Sequence, residues 1–295
     1  MFRNLILILI LQFFSTLLFA QPDFQKKGKQ NFVYSDALAV KDKPIRVWYY
    51  SPTDRPDTLP IVMMLHGAER NASAYLDQWI PVADLFGYVI VAPEFSKEDY
   101  AGAARYNQGN VYSEKLSKFN DKTTWTFSVI EPLFDYVKNE THNFFPGYFL
   151  SGHSAGAQFV HRFLYFVPEN RASKVMMANS GWYTLPDFNT EFPFGLKKSP
   201  VSSKDIKTVF GKDVIVVLGE ADTDTTSANF QKGPEYSKQG HTRFERGNNY
   251  FAYCQATAKL LNSPFNWKLI TLPGVAHSNA ETAKAAGALF KMNLH

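Results

Sequence analysis

Short apolar runs alternate along the chain with longer segments whose apolar positions recur at helical spacing. The runs at 45–50, 61–65, 88–92, 147–151, 174–179, 213–218 and 267–272 predict strands. Several are apolar at every position, as in Ile61-Val62-Met63-Met64-Leu65 and Val214-Ile215-Val216-Val217-Leu218. Unbroken apolarity means burial on both faces, as in a parallel sheet covered by helices. Helices are expected between the strands, at 72–86, 124–139, 155–166, 248–261 and 280–292. This alternation predicts an α/β fold with an open, mostly parallel sheet and helices on both faces. Chemistry is then expected beyond the carboxyl ends of the strands.

The first 20 residues have a different pattern. Arg3 precedes the apolar run Leu5-Ile6-Leu7-Ile8-Leu9-Ile10-Leu11, and Ala20 supplies a small residue for cleavage. These are the parts of a secretory signal. The run is shorter than the ~20 residues that span a bilayer, and no later stretch is a better candidate. The expected organisation is a signal at 1–20 followed by a single domain at 21–295, exported (secreted or periplasmic) and off the membrane once the signal is removed. The 45% hydrophobic content rules out intrinsic disorder. A formal charge of +4 is too small an excess to argue for nucleic acid. The single cysteine, Cys254, excludes an internal disulfide framework and reads as a small buried hydrophobe. The histidines show no H-E-x-x-H spacing for a metal.

The candidate chemistry lies at four strand ends. The strand at 147–151 runs into Gly152-His153-Ser154-Ala155-Gly156 and then a helix, which is G-x-S-x-G on a sharp turn. There Ser154 is the candidate nucleophile. A serine hydroxyl needs a base, and the base needs an orienting acid, in the chain order Ser, acid, His. Gly219-Glu220-Ala221-Asp222-Thr223-Asp224 and Gly274-Val275-Ala276-His277 follow in that order, each just past a strand. His277 is the candidate base and Asp222 the first candidate acid. Asp224 is the second choice, and Glu220 a distant third. The strand at 61–65 ends in His66-Gly67-Ala68, so the amides of Ala68 and Ala155 are the candidate oxyanion donors, with His66 packed beneath the turn.

Taken together, these motifs resemble the α/β-hydrolase family across roughly residue 47 to the C-terminus. Pro93-Glu94-Phe95 and the insertion after Ser180-Gly181-Trp182 are similar to secreted esterases of the poly(3-hydroxybutyrate) depolymerase-like and feruloyl or acetyl-xylan esterase-like groups. The resemblance implies hydrolysis of small-molecule or oligomeric carboxylic esters with no cofactor. Rivals are an acyltransferase or peptidase of the same fold, or a binding protein that kept it. One cysteine cannot form the disulfides found in many secreted members, and no appended binding module is present.

Three long connections, at 96–123, 182–212 and 223–249, are expected to overhang the site. Among their residues, Trp182, Tyr183 and Tyr106 are candidate walls for the substrate. Arg243 and Arg246 could meet a substrate carboxylate, although solvated or salt-bridged arginines are the commoner outcome.

Overall fold

The computed structural model describes residues 22–113, 115 and 117–291, so the signal expected at 1–20 lies outside the described residues. The strands are β1 (Gly28–Tyr34), β2 (Ile45–Ser51), β3 (Ile61–Leu65), β4 (Val89–Glu94), β5 (Tyr112–Ser113), β6 (Lys118–Phe119), β7 (Tyr148–His153), β8 (Ala172–Ala178), β9 (Val214–Gly219) and β10 (Lys268–Leu272). Eight form one sheet in the order β1-β2-β4-β3-β7-β8-β9-β10, and β5 pairs with β6 in a small hairpin. From β4 to β10 every pairing in the main sheet is parallel, while β1 and β2 join antiparallel at one edge. The carboxyl ends of β3, β7, β8, β9 and β10 therefore share one edge of the sheet.

Two cores cover the two faces. On one, α1 (Ala72–Phe86) and α7 (Asn279–Lys291) bury Leu76, Trp79, Val82, Ala286 and Phe290 against Val62, Met64, Ile90 and Val217. On the other, α2 (Ile130–Glu140), α3 (Ala155–Phe166), α4 (Ser203–Phe210) and α6 (Arg243–Leu260) bury Leu133, Phe159, Phe163, Phe210 and Tyr250 against Met63, Leu65, Val175 and Val216. Every residue of β3 and β9 is buried, as their unbroken apolarity demands. Cys254 is fully buried, and that burial pushes its thiol up to about 12. No helix among the described residues is long and apolar enough to cross a membrane.

The expected elements reappear with several departures. β1 was not anticipated: it is a polar edge strand in which only Phe32 and Tyr34 are buried. α4 lies inside a segment expected to be a long loop. Its start is a capping box, in which Ser202 Oγ accepts from the Asp205 amide while the Asp205 carboxylate accepts from the Ser202 amide. α6 begins at Arg243 rather than 248 because Thr242 Oγ1 accepts from the Glu245 amide at 3.1 Å. A four-residue turn, α5 (Pro234–Ser237), further shortens the third connection.

Candidate active site

Ser154 joins β7 to α3 with φ 57° and ψ −119°. A non-glycine residue reaches that conformation only at a cost of order 1–3 kcal/mol, so surrounding structure must hold it there. The glycines on either side make the turn possible. A Cβ on Gly152 would collide with the Gly156 carbonyl, and one on Gly156 with the Leu65 carbonyl of β3. The Ser154 amide donates to the carbonyl of Ala178 at the end of β8, at 2.9 Å. Because α3 begins at Ala155, the Ala155 amide belongs to the first turn, which has no intrahelical acceptor.

Asp222 and His277 meet directly. Asp222 Oδ2 lies 2.7 Å from His277 Nδ1, with Asp222 1% exposed and the His277 side chain 30% exposed. This bond assigns the proton to Nδ1 and leaves Nε2 as an acceptor. Asp224 is elsewhere: its side chain is exposed and accepts from the amide and hydroxyl of Thr226. Glu220 is exposed and accepts from Thr271 Oγ1. Between the two candidate acids, burial and contact single out Asp222.

The His277 ring packs 4.5 Å, centroid to centroid, from that of His153, the residue before Ser154. Ser154 and His277 thus flank the same small region, although no hydrogen bond joins them directly. His153 is buried and bonded through Nδ1 to the Tyr75 hydroxyl at 3.0 Å. Burial, reinforced by the neighbouring His277 and Arg243, holds it well below the ordinary imidazole range, so it stays neutral.

Asn179 carries no motif, yet it fastens the site together. It has φ 48°, its Oδ1 accepts from the Gly219 amide at 2.8 Å, and its Nδ2 donates to the Ala276 carbonyl at 3.3 Å. Those two residues lead into Asp222 and His277. Arg243 is salt-bridged, one of the commoner outcomes expected for it. Its Nη1 is 3.4 Å from Asp222 Oδ1 and 3.2 Å from the Asp224 carbonyl.

A cavity of about 380 Å³ opens beside Ser154, lined among others by Ala68, Ala155, Gln158, Trp182, Arg70 and Arg243. Ala68, Ala155 and Trp182 all line this cavity. Tyr106 and Tyr183 do not line it. Tyr106 is fully buried, donates to the His66 carbonyl at 2.6 Å and stacks on the His66 ring at 4.6 Å. It props the turn that carries Ala68. Tyr183 stacks on Tyr250 at 4.1 Å inside the body. Both are drawn into the core instead, Tyr106 packing on Phe159 and Tyr183 on His161 of α3. His66 lies beneath the turn as expected. Its Nε2 accepts from the Phe95 amide at 3.1 Å, and burial lowers it to about 3. Arg243 and Arg246 lie on α6 rather than in a loop, and both are buried. A second cavity, of about 200 Å³ beneath Leu185, Phe194 and Tyr253, includes none of Ser154, Asp222 and His277. No group of residues suited to hold a metal ion occurs among the described residues.

No family model matches the chain, and no curated protein matches it. Solved structures do. Poly(aspartic acid) hydrolase-1 from Sphingomonas sp. KT-1 is 38% identical, with a TM-score of 0.86 over 90% of this chain and 98% of its own. LpqC, a poly(3-hydroxybutyrate) depolymerase from Bordetella parapertussis, is 29% identical, with a TM-score of 0.85 over 91% of each chain. An S-formylglutathione hydrolase from Agrobacterium tumefaciens, at 13% identity and a TM-score of 0.59 over 90% of this chain and 95% of its own, shares the fold. With its parallel sheet, its serine on a strand-to-helix turn and these relatives, the chain belongs to the α/β-hydrolase family, as a hydrolase of the depolymerase-like kind.

Proposed function

We propose that the protein hydrolyses carboxylic esters through an acyl-enzyme on Ser154. The observation that carries this reading is the Asp222–His277 hydrogen bond, made at the same sheet edge as the strained Ser154 turn. His277 Nε2 takes the Ser154 proton as Oγ attacks the ester carbonyl. Asp222 orients the ring and stabilises the imidazolium. The Ala68 and Ala155 amides receive the developing oxyanion. The alcohol leaves with the proton held on His277. Water, deprotonated by the same ring, then attacks the acyl-enzyme and frees the acid and Ser154. Nothing in this cycle calls for a cofactor.

An amide is the second reading of the scissile bond, favoured by the 38% identity to a poly(aspartic acid) hydrolase. The chemistry at Ser154 is the same except that an amine leaves. Residues 21–295 are proposed as one catalytic domain, exported on the leader-like 1–20.

The test is fluorophosphonate labelling read by mass spectrometry, with turnover of p-nitrophenyl butyrate. We expect one adduct on Ser154 and a loss of at least about 10⁴-fold in kcat for Ser154→Ala. An unlabelled, inactive wild-type protein would instead identify a binding protein. Assays on poly(3-hydroxybutyrate) and poly(aspartic acid) side by side decide between ester and amide.

A further inference from the structure

Arg70 and Arg243 line the cavity beside Ser154, and Arg162 and Arg246 are buried behind it, bonded to carbonyls of its lining residues; each of the four is at most 9% exposed. A buried cation without a counter-ion is costly. Yet Arg243 alone of the four meets a carboxylate, that of Asp222 at 3.4 Å. Arg70 is held by the carbonyls of Phe95 and Gly102. Arg246 is held by those of Gly240, Gly181 and Gln231. Arg162 binds Thr184 and two carbonyls, and its Nη2 is buried with no partner. It lies 4.1 Å beneath the Trp182 ring, which itself faces the cavity. Lys97 is the third cation on the wall itself, but Glu69 answers it at the surface, at 2.7 Å. No Asp or Glu lines the cavity. Positive charge on and behind the cavity wall thus exceeds what Asp222 and Glu69 offset.

We propose that the cavity selects substrates carrying a carboxylate near the scissile bond, and that Arg243 reads it. This rests on the reading of Ser154 as nucleophile, and it holds for an ester or an amide. Arg243 is the cation on the wall with donors to spare. Its Nη1 serves Asp222 and the Asp224 carbonyl, while no protein group bonds its Nε or Nη2. Those two nitrogens form the planar fork that matches a carboxylate. The neutral donors Asn107, Gln158 and Asn229 complete a polar lining suited to an anion.

The experiment compares monoethyl succinate with ethyl butyrate, which match in acyl length and differ by one carboxylate, and measures ethanol release. In the wild type we expect kcat/KM to favour monoethyl succinate by at least about tenfold, the scale of a charge-assisted hydrogen bond. In Arg243→Gln both substrates slow, since Asp222 loses its neighbour, but the preference falls to about onefold through KM. Arg243→Lys restores part of it. Acetoxyacetate against ethyl acetate asks the same of the leaving-group side, and a preference on either side supports the proposal. Equal kcat/KM on both sides, with Ser154 still labelled by fluorophosphonate, overturns the proposal alone. Failure of the label overturns the nucleophile reading and this proposal with it. The wild-type comparison needs no variant, so a misfolded Arg243→Gln leaves the answer intact.

Discussion

Asn179 Oδ1 accepts the Gly219 amide at 2.8 Å, three residues before the acid that holds His277. Its Nδ2 reaches Ala276, the residue before His277. One side chain at the end of β8 therefore sets the spacing of two loops that must agree for Asp222 to meet the imidazole.

Asn179→Gly keeps the left-handed backbone but removes both bonds. We expect kcat to fall about 10- to 100-fold with KM nearly unchanged, the response to a misplaced catalytic group. Asn179→Ala adds the backbone cost of a left-handed alanine, about 1 kcal/mol, and should lower Tm further than the glycine variant. Wild-type kcat in Asn179→Gly would show that the loops hold themselves.

Asp222→Asn should lower kcat by about 10⁴, because the amide misdirects the tautomer of His277. Asp224→Asn should stay close to the wild type, since Asp224 is exposed and serves only the Thr226 turn. Steady-state kinetics on one soluble ester check both, and the reverse outcome would reassign the acid.

Tyr106→Phe strips a donor from the buried His66 carbonyl. We expect a loss of about 1–3 kcal/mol in urea unfolding, the cost of leaving one buried group unpaired. A fall in kcat should accompany it, since the same turn carries Ala68. Unchanged stability would mean that another donor replaces the phenol.

His66, His153 and His161 are buried, and burial drives each below the ordinary imidazole range, His66 to about 3. The unfolded chain binds protons at these positions below pH ~6.5 and the folded chain does not. Their contribution is whole above that pH and shrinks as acid is added. Each removes up to about 1.4 kcal/mol per pH unit between ~6.5 and its folded value. Urea unfolding at pH 7 and pH 5 should show a marked loss at pH 5. A flat profile would mean that the imidazoles gain water before the fold opens.

The central strands were legible because their burial on both faces leaves no polar position to confuse the pattern, as at Ile61–Leu65. The strand–turn–helix around Ser154 was legible because glycine is demanded where backbones touch. β1 was not, since an edge strand buries only Phe32 and Tyr34. The starts of α4 and α6 were written in Ser202-x-x-Asp205 and Thr242-x-x-Glu245, a signal outweighed by the polar character of the flanking residues. Asp222 could be ranked above Asp224 but not separated from it, because burial decides and burial is a tertiary property. Asn179 had no signature at all. Its role exists only where β8, β9 and the His277 loop converge. Tyr106 and Trp182 look alike as loop aromatics, and only packing tells the prop from the wall.

Arg243 touches the acid with one nitrogen and is itself part of the cavity wall. Anyone redesigning the enzyme for an uncharged polymer would find the obvious replacement at 243 slowing every turnover. Trp182 and Gln158, which border the same space without contacting Asp222, offer the freer handles. Taste and speed are wired through a single side chain, so evolution could alter them separately only by working around it.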